Sequence, residues 1–416
     1  MGLSVAIVGG GAAGFFGAIA CAEANPNAQV TLYEAGPQPL AKVRISGGGR
    51  CNVTHHCFDP AQLVLNYPRG GKALRGAFSR FQPKDTVAWY AKRGVKLKTE
   101  ADGRMFPVTD DSATIVNCLR RAADDAGVRV AVRSPIVSVE KIDNKFVLQL
   151  KREGGYVECD RLLLASGSSP AGHRIAKSLG HTIESPTPSL FTFNVADKRL
   201  HQLSGVAVNS VVLRLKTEGM KKPLAQKGPL LITHWGLSGP AVLKLSAWGA
   251  RALHTQRYKA TLTVNWLPDE TQETVRTVLQ KLKAESPKKA LSTFSPFSPI
   301  SKRLWQYLLY RTEIEDSLTW ANLSKKQMNK LVQALTQGSY AVGGKGTFKD
   351  EFVTCGGVKL REVDFKTMQS RVCKGLYFAG EILDIDGVTG GFNFQSAWTT
   401  GWIAGNALEA SAIAKD

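Results

Sequence analysis

The residues from Arg44 to His56, RISGGGRCNVTHH, set three consecutive glycines beside an Arg-Cys-Asn triplet. A thiol can give a proton, and a guanidinium can stabilise negative charge developing on an oxygen or an electron-rich ring. Glycine lacks a Cβ, so Gly47, Gly48 and Gly49 let the backbone approach a ligand or take positive φ. Arg50 and Cys51 are therefore the candidate catalytic residues. Cys51 reads either as a proton donor or as a small buried residue packed beneath a bound group. His55-His56-Cys57 follows closely, but no partner pair with zinc spacing occurs elsewhere, so no metal is expected. No cysteine lies nearby in CxxC spacing, which argues against disulfide redox chemistry.

The elements that must position these residues begin at the N-terminus. Val5 to Val8 is a short apolar run, followed by Gly9-x-Gly11-x-x-Gly14 and a helical pattern through Ala24. After Pro26, Val30 to Tyr33 reads as a second strand ending at Glu34, twenty residues beyond Gly14. Strand, glycine turn, helix and acid at this distance form a dinucleotide fingerprint. Gly9 permits the tight turn, Gly11 lets a pyrophosphate approach the helix N-terminus, and Gly14 allows the helix to sit on the sheet. Glu34 is expected to accept from ribose hydroxyls, with Ala13 and Ala35 beside it as further contacts.

The C-terminal stretch GLYFAGEILDIDGVTGGFNFQSAWTTGWIAGNAL decides which dinucleotide. It holds a strand (Leu376 to Ala379), then Gly380-Glu381, then a loop and a helix beginning near Gly391. A nicotinamide fold needs no such distant second half. In two-part flavin folds a late strand returns to the sheet, and the next helix aims its positive N-terminus at the flavin pyrimidine. FAD is the expected cofactor, with Gly380, Glu381, Gly391, Asn393 and Phe394 contributed from this half. Arg161 to Ser169, RLLLASGSS, adds a third strand and glycine turn. Ser46, Gly47, Arg50 and Lys42 then reach the cofactor from the glycine triplet, and Ile136 is a further contact. No second GxGxxG follows a strand, so NAD(P)H is expected only as a transient electron donor at the flavin face.

Four segments carry a resemblance. ISGGGRCNVT, GRMFPVTDDSATIV (Gly103 to Val116), THWGLSGPAVL (Thr233 to Leu243) and GEILDIDGVTGGFNFQSA resemble the BaiN/RdsA-type (YhiN-like) family of FAD-dependent oxidoreductases. The match runs in order from Val5 to about Leu408. One stretch departs from it: where relatives read ATGG and a longer glycine-rich turn, this chain has ASGSSPAGHRIAKSLGH. The resemblance implies flavin redox chemistry on substrates as different as uridine in ribosomal RNA, bile acids and aminoacetone.

The expected fold is α/β: a two-part, Rossmann-like FAD domain (1–189 and 349–416) interrupted by an insert. The insert reads as β-rich and barrel-like over 190–268, where runs such as FTFNV, VNSVVLRL and ATLTVNW alternate. It reads as helical over 269–348, where apolar residues recur at helical spacing and Ser324 is a candidate N-cap. The glycine-rich AVGGKGTF, Ala341 to Phe348, reads as a hinge. Ser238 is expected to cap a helix with Pro240 in its first turn, and His234 to be structural.

Composition narrows the function. No apolar run approaches the roughly 18 residues of a membrane span, no signal-peptide layout opens the chain, and seven cysteines lack framework spacing. A cytoplasmic protein is expected, with no membrane partner; its oligomeric state is left open. Lys and Arg total 54 against 34 Asp and Glu, a net charge of +20, which attracts polyanions. Tyr67 to Lys98 concentrates basic residues among Tyr67, Phe78, Phe81, Trp89 and Tyr90; the aromatics read as core and the charges as a surface. Three functions follow. The leading one is reduction of a C=C bond by hydride from flavin N5, with uridine in ribosomal RNA as substrate. The second is reduction or oxidation of a small molecule, with NAD(P)H as donor. The third is an RNA-binding assembly factor that keeps FAD for stability.

Overall fold

A computed structural model describes residues 2–151, 155–346 and 353–408. The chain divides into two compact units, Met1–Thr187 with Val353–Asp416, and Pro188–Phe352.

The first unit is built on a seven-stranded sheet. The middle one of its five parallel strands, Ser4–Val8, pairs with Gln29–Tyr33 on one side and Arg161–Leu164 on the other. Leu376–Phe378 extends the sheet past Arg161–Leu164, and Arg129–Ala131 extends it past Gln29–Tyr33. An antiparallel hairpin, Val363–Asp364 and Gln369–Ser370, closes the Leu376–Phe378 edge. SVAIV and RLLL are apolar runs because these strands are covered on both faces; Ala6, Ile7, Leu162, Leu163 and Leu164 are buried. The strand order reverses direction beside Ser4–Val8, and ligands of open α/β sheets bind at the carboxyl ends of the strands at such a switch point.

Helix Ala12–Ala24 leaves the first strand at that end and is buried from Ala13 to Ala22. Helix Phe392–Ala407 packs along it, and both are buried along most of their length, the second with Gln395, Thr399 and Thr400 as buried polar side chains. Glycines set their separation. A Cβ on Gly401 would lie 2.6 Å from the Ala13 carbonyl oxygen, and one on Gly405 would overlap the carbonyl of Gly17. Trp398 donates to the Val53 carbonyl at 2.9 Å, which ties this helix to the segment after the glycine triplet.

The second unit contains a closed barrel of six strands in the order Phe193–Val195, Gly236–Ser238, Leu224–Thr233, Ala207–Lys216, Ala260–Asn265 and Gly338–Lys345. One core fills it and its helices, from Phe193 and Leu213 through Trp266, Trp305 and Trp320 to Val342. The helical stretch is therefore inserted between the fifth and sixth barrel strands and shares their core. The stretch expected as a hinge is instead barrel strand as far as Lys345; Thr347, Phe348 and Lys349 lie outside the described residues. Exposed Ser339, Ala341 and Gly343 alternate with buried Tyr340 and Val342, so the period of two is present beneath a loop-like composition. Ser324 caps helix Lys325–Gln337 in a reciprocal box with Gln327. Ser238 does not cap helix Pro240–Thr255: Gly239 holds that place at φ +95°, with Pro240 following. His234 is exposed.

Candidate dinucleotide site

Everything in this site belongs to the first unit. The turn after Ser4–Val8 is closed by Gly9 N–H donating to the Tyr33 carbonyl at 2.9 Å. Gly9 takes φ +116°, and a Cβ on Gly14 would collide with the Gly9 carbonyl oxygen. Around a Cβ built on Gly11, by contrast, no described atom lies within 4 Å. Helix Ala12–Ala24 begins there with no side chain capping it, so its first-turn N–H groups and dipole face open space, the environment that favours an anion. Both Glu34 oxygens are already engaged, one by Gly10 N–H at 2.8 Å and one by Gly36 N–H at 2.6 Å. Each oxygen keeps a second lone pair for a hydroxyl. Ala35 is exposed beside it.

The glycine triplet lies one short helix (Ala41–Ile45) further on. Gly47, Gly48 and Gly49 take φ of +59°, +69° and +85°, a left-handed run that only glycine sustains. All three are exposed, and Cβ atoms on Gly48 and Gly49 would meet no described atom within 4 Å. Ser46 turns its hydroxyl to the Val43 carbonyl at 2.9 Å. Arg50 points towards carboxylates of its own fold: it bonds Glu100 at 2.7 Å, lies 3.5 Å from Asp110, and stacks 4.0 Å above the Phe106 ring. The hydrogen bond to Glu100 raises the guanidinium's pKa further.

Cys51 has no exposed surface. Burial pushes its thiol up to about 12, partly offset by a hydrogen bond with Ser46. A group sealed in this way holds its proton, and the arrangement supports packing rather than acid catalysis. Ile136 is likewise buried, at the start of strand Ile136–Ile142.

Gly380 at φ +74° brings its backbone against Ala13 and donates to Thr400 Oγ1 at 2.9 Å. The next residue, Glu381, pairs with Lys42 at 2.7 Å and accepts from Thr354 N–H at 3.0 Å. Two expected site residues from opposite ends of the chain thus meet. The turn Ser166–Gly172 runs beside them. Among the described residues, neither Ser166 Oγ nor His173 Nε2 has a hydrogen-bond partner, though both atoms are buried. Polar atoms buried without partners are costly, so a bound group that satisfied them would be stabilised here.

Helix Phe392–Ala407 completes the site. Gly391 precedes it at φ +91°, and no side chain caps its first turn. With its amide oxygen facing Gly391, Asn52 accepts from Gly391 N–H at 2.9 Å and donates to the Thr54 carbonyl at 3.0 Å. Asn393 clasps the preceding loop, accepting from Gly387 N–H at 2.8 Å and donating to its carbonyl at 2.9 Å. Phe394 stacks on Trp398 at 5.6 Å. The loop is further held by a buried Arg69–Asp386 ion pair, and Tyr67 donates to the Phe392 carbonyl at 2.7 Å. His55 stacks 4.7 Å from Phe392. Sequence reasoning gave no site role to Asn52, Tyr67, Arg69 or Asp386. The only local signal was that Asn52 adjoins the Arg-Cys pair and Asp386 the glycine-rich turn.

The residues present fit a dinucleotide with a flavin end. Two uncapped helix N-termini, a roomy Gly11, an open glycine triplet and two unsatisfied buried polar atoms converge at the carboxyl ends of the sheet. The HI0933-like protein Rossmann domain family matches residues 3–407. A ribosomal RNA dihydrouridine synthase of Escherichia coli (strain K12) is 32% identical, over 97% of this chain and 98% of that protein. A 3-dehydro-bile acid delta(4,6)-reductase of Clostridium scindens is 28% identical, over 97% and 98%. Among solved structures, a flavocytochrome c3 fumarate reductase in its open conformation superposes with a TM-score of 0.50 at 16% identity, covering 98% of this chain and 78% of that one. The chain belongs to the HI0933-like Rossmann family and has its two-part, FAD-binding α/β fold.

Proposed function

We propose that this protein is an FAD-dependent oxidoreductase that reduces the C5–C6 double bond of uridine in ribosomal RNA. One observation carries the choice of substrate. In the basic stretch after the glycine triplet, Lys72, Arg75, Lys84, Lys92 and Lys96 are exposed and form no ion pair among the described residues. The aromatics of that stretch are spoken for: Tyr67, Phe78, Phe81 and Tyr90 are core, and Trp89 lies under the Arg93 guanidinium at 3.8 Å. An unneutralised positive surface on a chain of net charge +20 suits a phosphodiester backbone. The full-length likeness to a ribosomal RNA dihydrouridine synthase points the same way.

When bound and reduced, the flavin would supply hydride to one carbon of the C5–C6 double bond, the other carbon taking a proton from solvent. The chain's part is to hold and polarise. The uncapped N-terminus of Ala12–Ala24 and Glu34 take the adenosine and pyrophosphate end. Glu381, fixed by Lys42 and Thr354, takes the ribityl region, together with Gly380, Ser46 and Gly47. The uncapped N-terminus of Phe392–Ala407, with Gly391, Asn393 and Phe394, would hold the ring end and favour negative charge there. Arg50, paired with Glu100 and Asp110, would anchor the backbone beside the glycine triplet. NAD(P)H docking transiently at the ring is the proposed electron donor, and the cytoplasm the proposed place of action.

The test is single turnover. Holoenzyme reduced without oxygen is mixed with unmodified ribosomal RNA, and flavin reoxidation is followed by absorbance. Reoxidation by RNA, with dihydrouridine in the product, is expected. The likeness to a bile-acid reductase supplies the second reading: reoxidation by a small conjugated ketone but not by RNA would make it the correct one.

A further inference from the structure

A cleft of about 510 Å³ lies in the first unit, lined by Gly76, Ala77, Arg80, Phe365 and Lys366. Its position follows from the sheet. In the edge hairpin, Gln369 pairs with Tyr377, and Phe378 N–H donates to the Met368 carbonyl at 3.0 Å. The turn Phe365–Met368 therefore projects beyond the carboxyl end of Leu376–Phe378, the end at which Gly380 and the dinucleotide site lie. The opposite wall is helix Gly71–Phe78 and the residues just after it.

The lining has a definite chemistry. Phe365 is half-exposed, and Arg80 and Lys366 are exposed. Arg80 bridges the cleft by donating to the Lys366 carbonyl, which leaves most of its N–H donors outward. Asp364, the acid of the turn, is occupied by Lys366 N–H at 3.1 Å and by Arg371 at 3.4 Å. Gly76 is exposed in mid-helix, where glycine is unfavourable, and a Cβ there would meet no described atom within 4 Å. Packing does not call for that glycine; it keeps this wall flat. Lys72 shares its helix face with Arg75 and Gly76, three and four residues on, and neither Lys72 nor Arg75 forms an ion pair among the described residues. From Lys72 to Phe78 the helix runs about 9 Å along its axis, longer than a single phosphate, and Arg80 follows just past its end.

We propose that this cleft docks single-stranded RNA, one unpaired base stacking on Phe365 while Arg80, Lys366, Arg75 and Lys72 follow the phosphates. The proposal rests on the RNA-substrate reading and assigns that substrate a path at the flavin end of the sheet. Aromatic stacking combined with a cationic groove is how unpaired strands are held without sequence preference.

The experiment titrates full-length holoenzyme against a fluorescently labelled single-stranded oligouridylate over a range of salt. Variants are Phe365→Leu, Phe365→Tyr, Gly76→Leu and the double Lys72→Gln/Lys366→Gln, each checked for wild-type flavin content. Gly76→Leu improves helix propensity while filling the cleft, so its loss of binding is not a folding defect. Phe365→Leu and Gly76→Leu are expected to weaken binding by about tenfold or more, and Phe365→Tyr to retain it. The lysine pair is expected to lower the slope of log affinity against log salt by about 1.4, roughly 0.7 for each phosphate no longer neutralised. If the wild type binds and every variant binds equally well, the cleft is not the dock, while the RNA reading stands. Loss in the lysine variant alone would overturn base stacking on Phe365. If the wild type itself does not bind, the RNA reading falls and the cleft proposal with it.

Discussion

Replacing Gly401 with alanine tests whether close packing of two buried helices holds the dinucleotide site in shape. The added Cβ would lie 2.6 Å from the Ala13 carbonyl oxygen, 3.2 Å from Gly17 N and 3.3 Å from Phe16 Cβ. Two of these are backbone atoms, so no side chain can swing aside. The helices must part by an appreciable fraction of an ångström, and the part that moves includes Ala13, in the first helical turn proposed to hold the pyrophosphate. Overpacking of this kind costs about 1–3 kcal/mol. At roughly 2–4 °C per kcal/mol for a unit of this size, the midpoint should fall by about 4–8 °C for a central cost of 2 kcal/mol. Bound flavin should also be lost more readily on gel filtration. Gly76→Ala is the control: the same methyl group enters open space on an exposed helix and should stabilise by about 0.5–1 kcal/mol. The two substitutions must differ in sign. Equal midpoints and equal flavin retention in Gly401→Ala and wild type would refute the idea that this contact sets the site.

Asp386 has no exposed surface and its partner Arg69 is only 11% exposed, so Asp386→Asn should destabilise by about 3 kcal/mol, by leaving a buried cation without its counter-ion; denaturant titration checks this, and a loss below about 1 kcal/mol would contradict it. Cys51, sealed and pushed up to about 12, should resist iodoacetamide in the native holoenzyme, whereas Cys57, half-buried, should react first; peptide mass mapping separates them. Stability should also weaken in mild acid. Burial holds His173 and His181 below their usual 6.5, with Glu381 and Glu362 respectively pulling the other way. The unfolded chain therefore takes up protons first, so their contribution is complete above about pH 6.5 and is lost as pH falls from there towards the folded values. Midpoints measured between about pH 7.5 and 5.5 should decline, and the decline should be shallower in His181→Gln; a flat profile in the wild type would oppose this.

Where the sequence is informative, the signal is local. Val5 to Glu34 announces strand, turn, helix and acid because each step is dictated by neighbours within a few residues, and Leu376 to Gly391 does the same for the second half. What escapes is long-range. The Arg69–Asp386 pair joins residues 317 apart, and Tyr67 reaches Phe392 over 325; no spacing rule connects such positions. Arg50 is written beside the glycine triplet, yet its guanidinium turns to Glu100 and Asp110, because those carboxylates come near only once the intervening strands have folded. Cys51 had two readings on sequence, and its burial favours the packing one. Ala341 to Lys345 looked like a hinge because glycine composition outweighed an alternation that the closed barrel requires.

Mass mapping of ribosomal RNA from the host with and without the gene tests whether this protein reduces uridine there. A uridine two hydrogens heavier that is present in the wild type, vanishes on deletion and returns with the intact gene is the result expected. Identical ribosomal RNA in both strains would contradict the claim and turn attention to small conjugated acceptors for the same flavin.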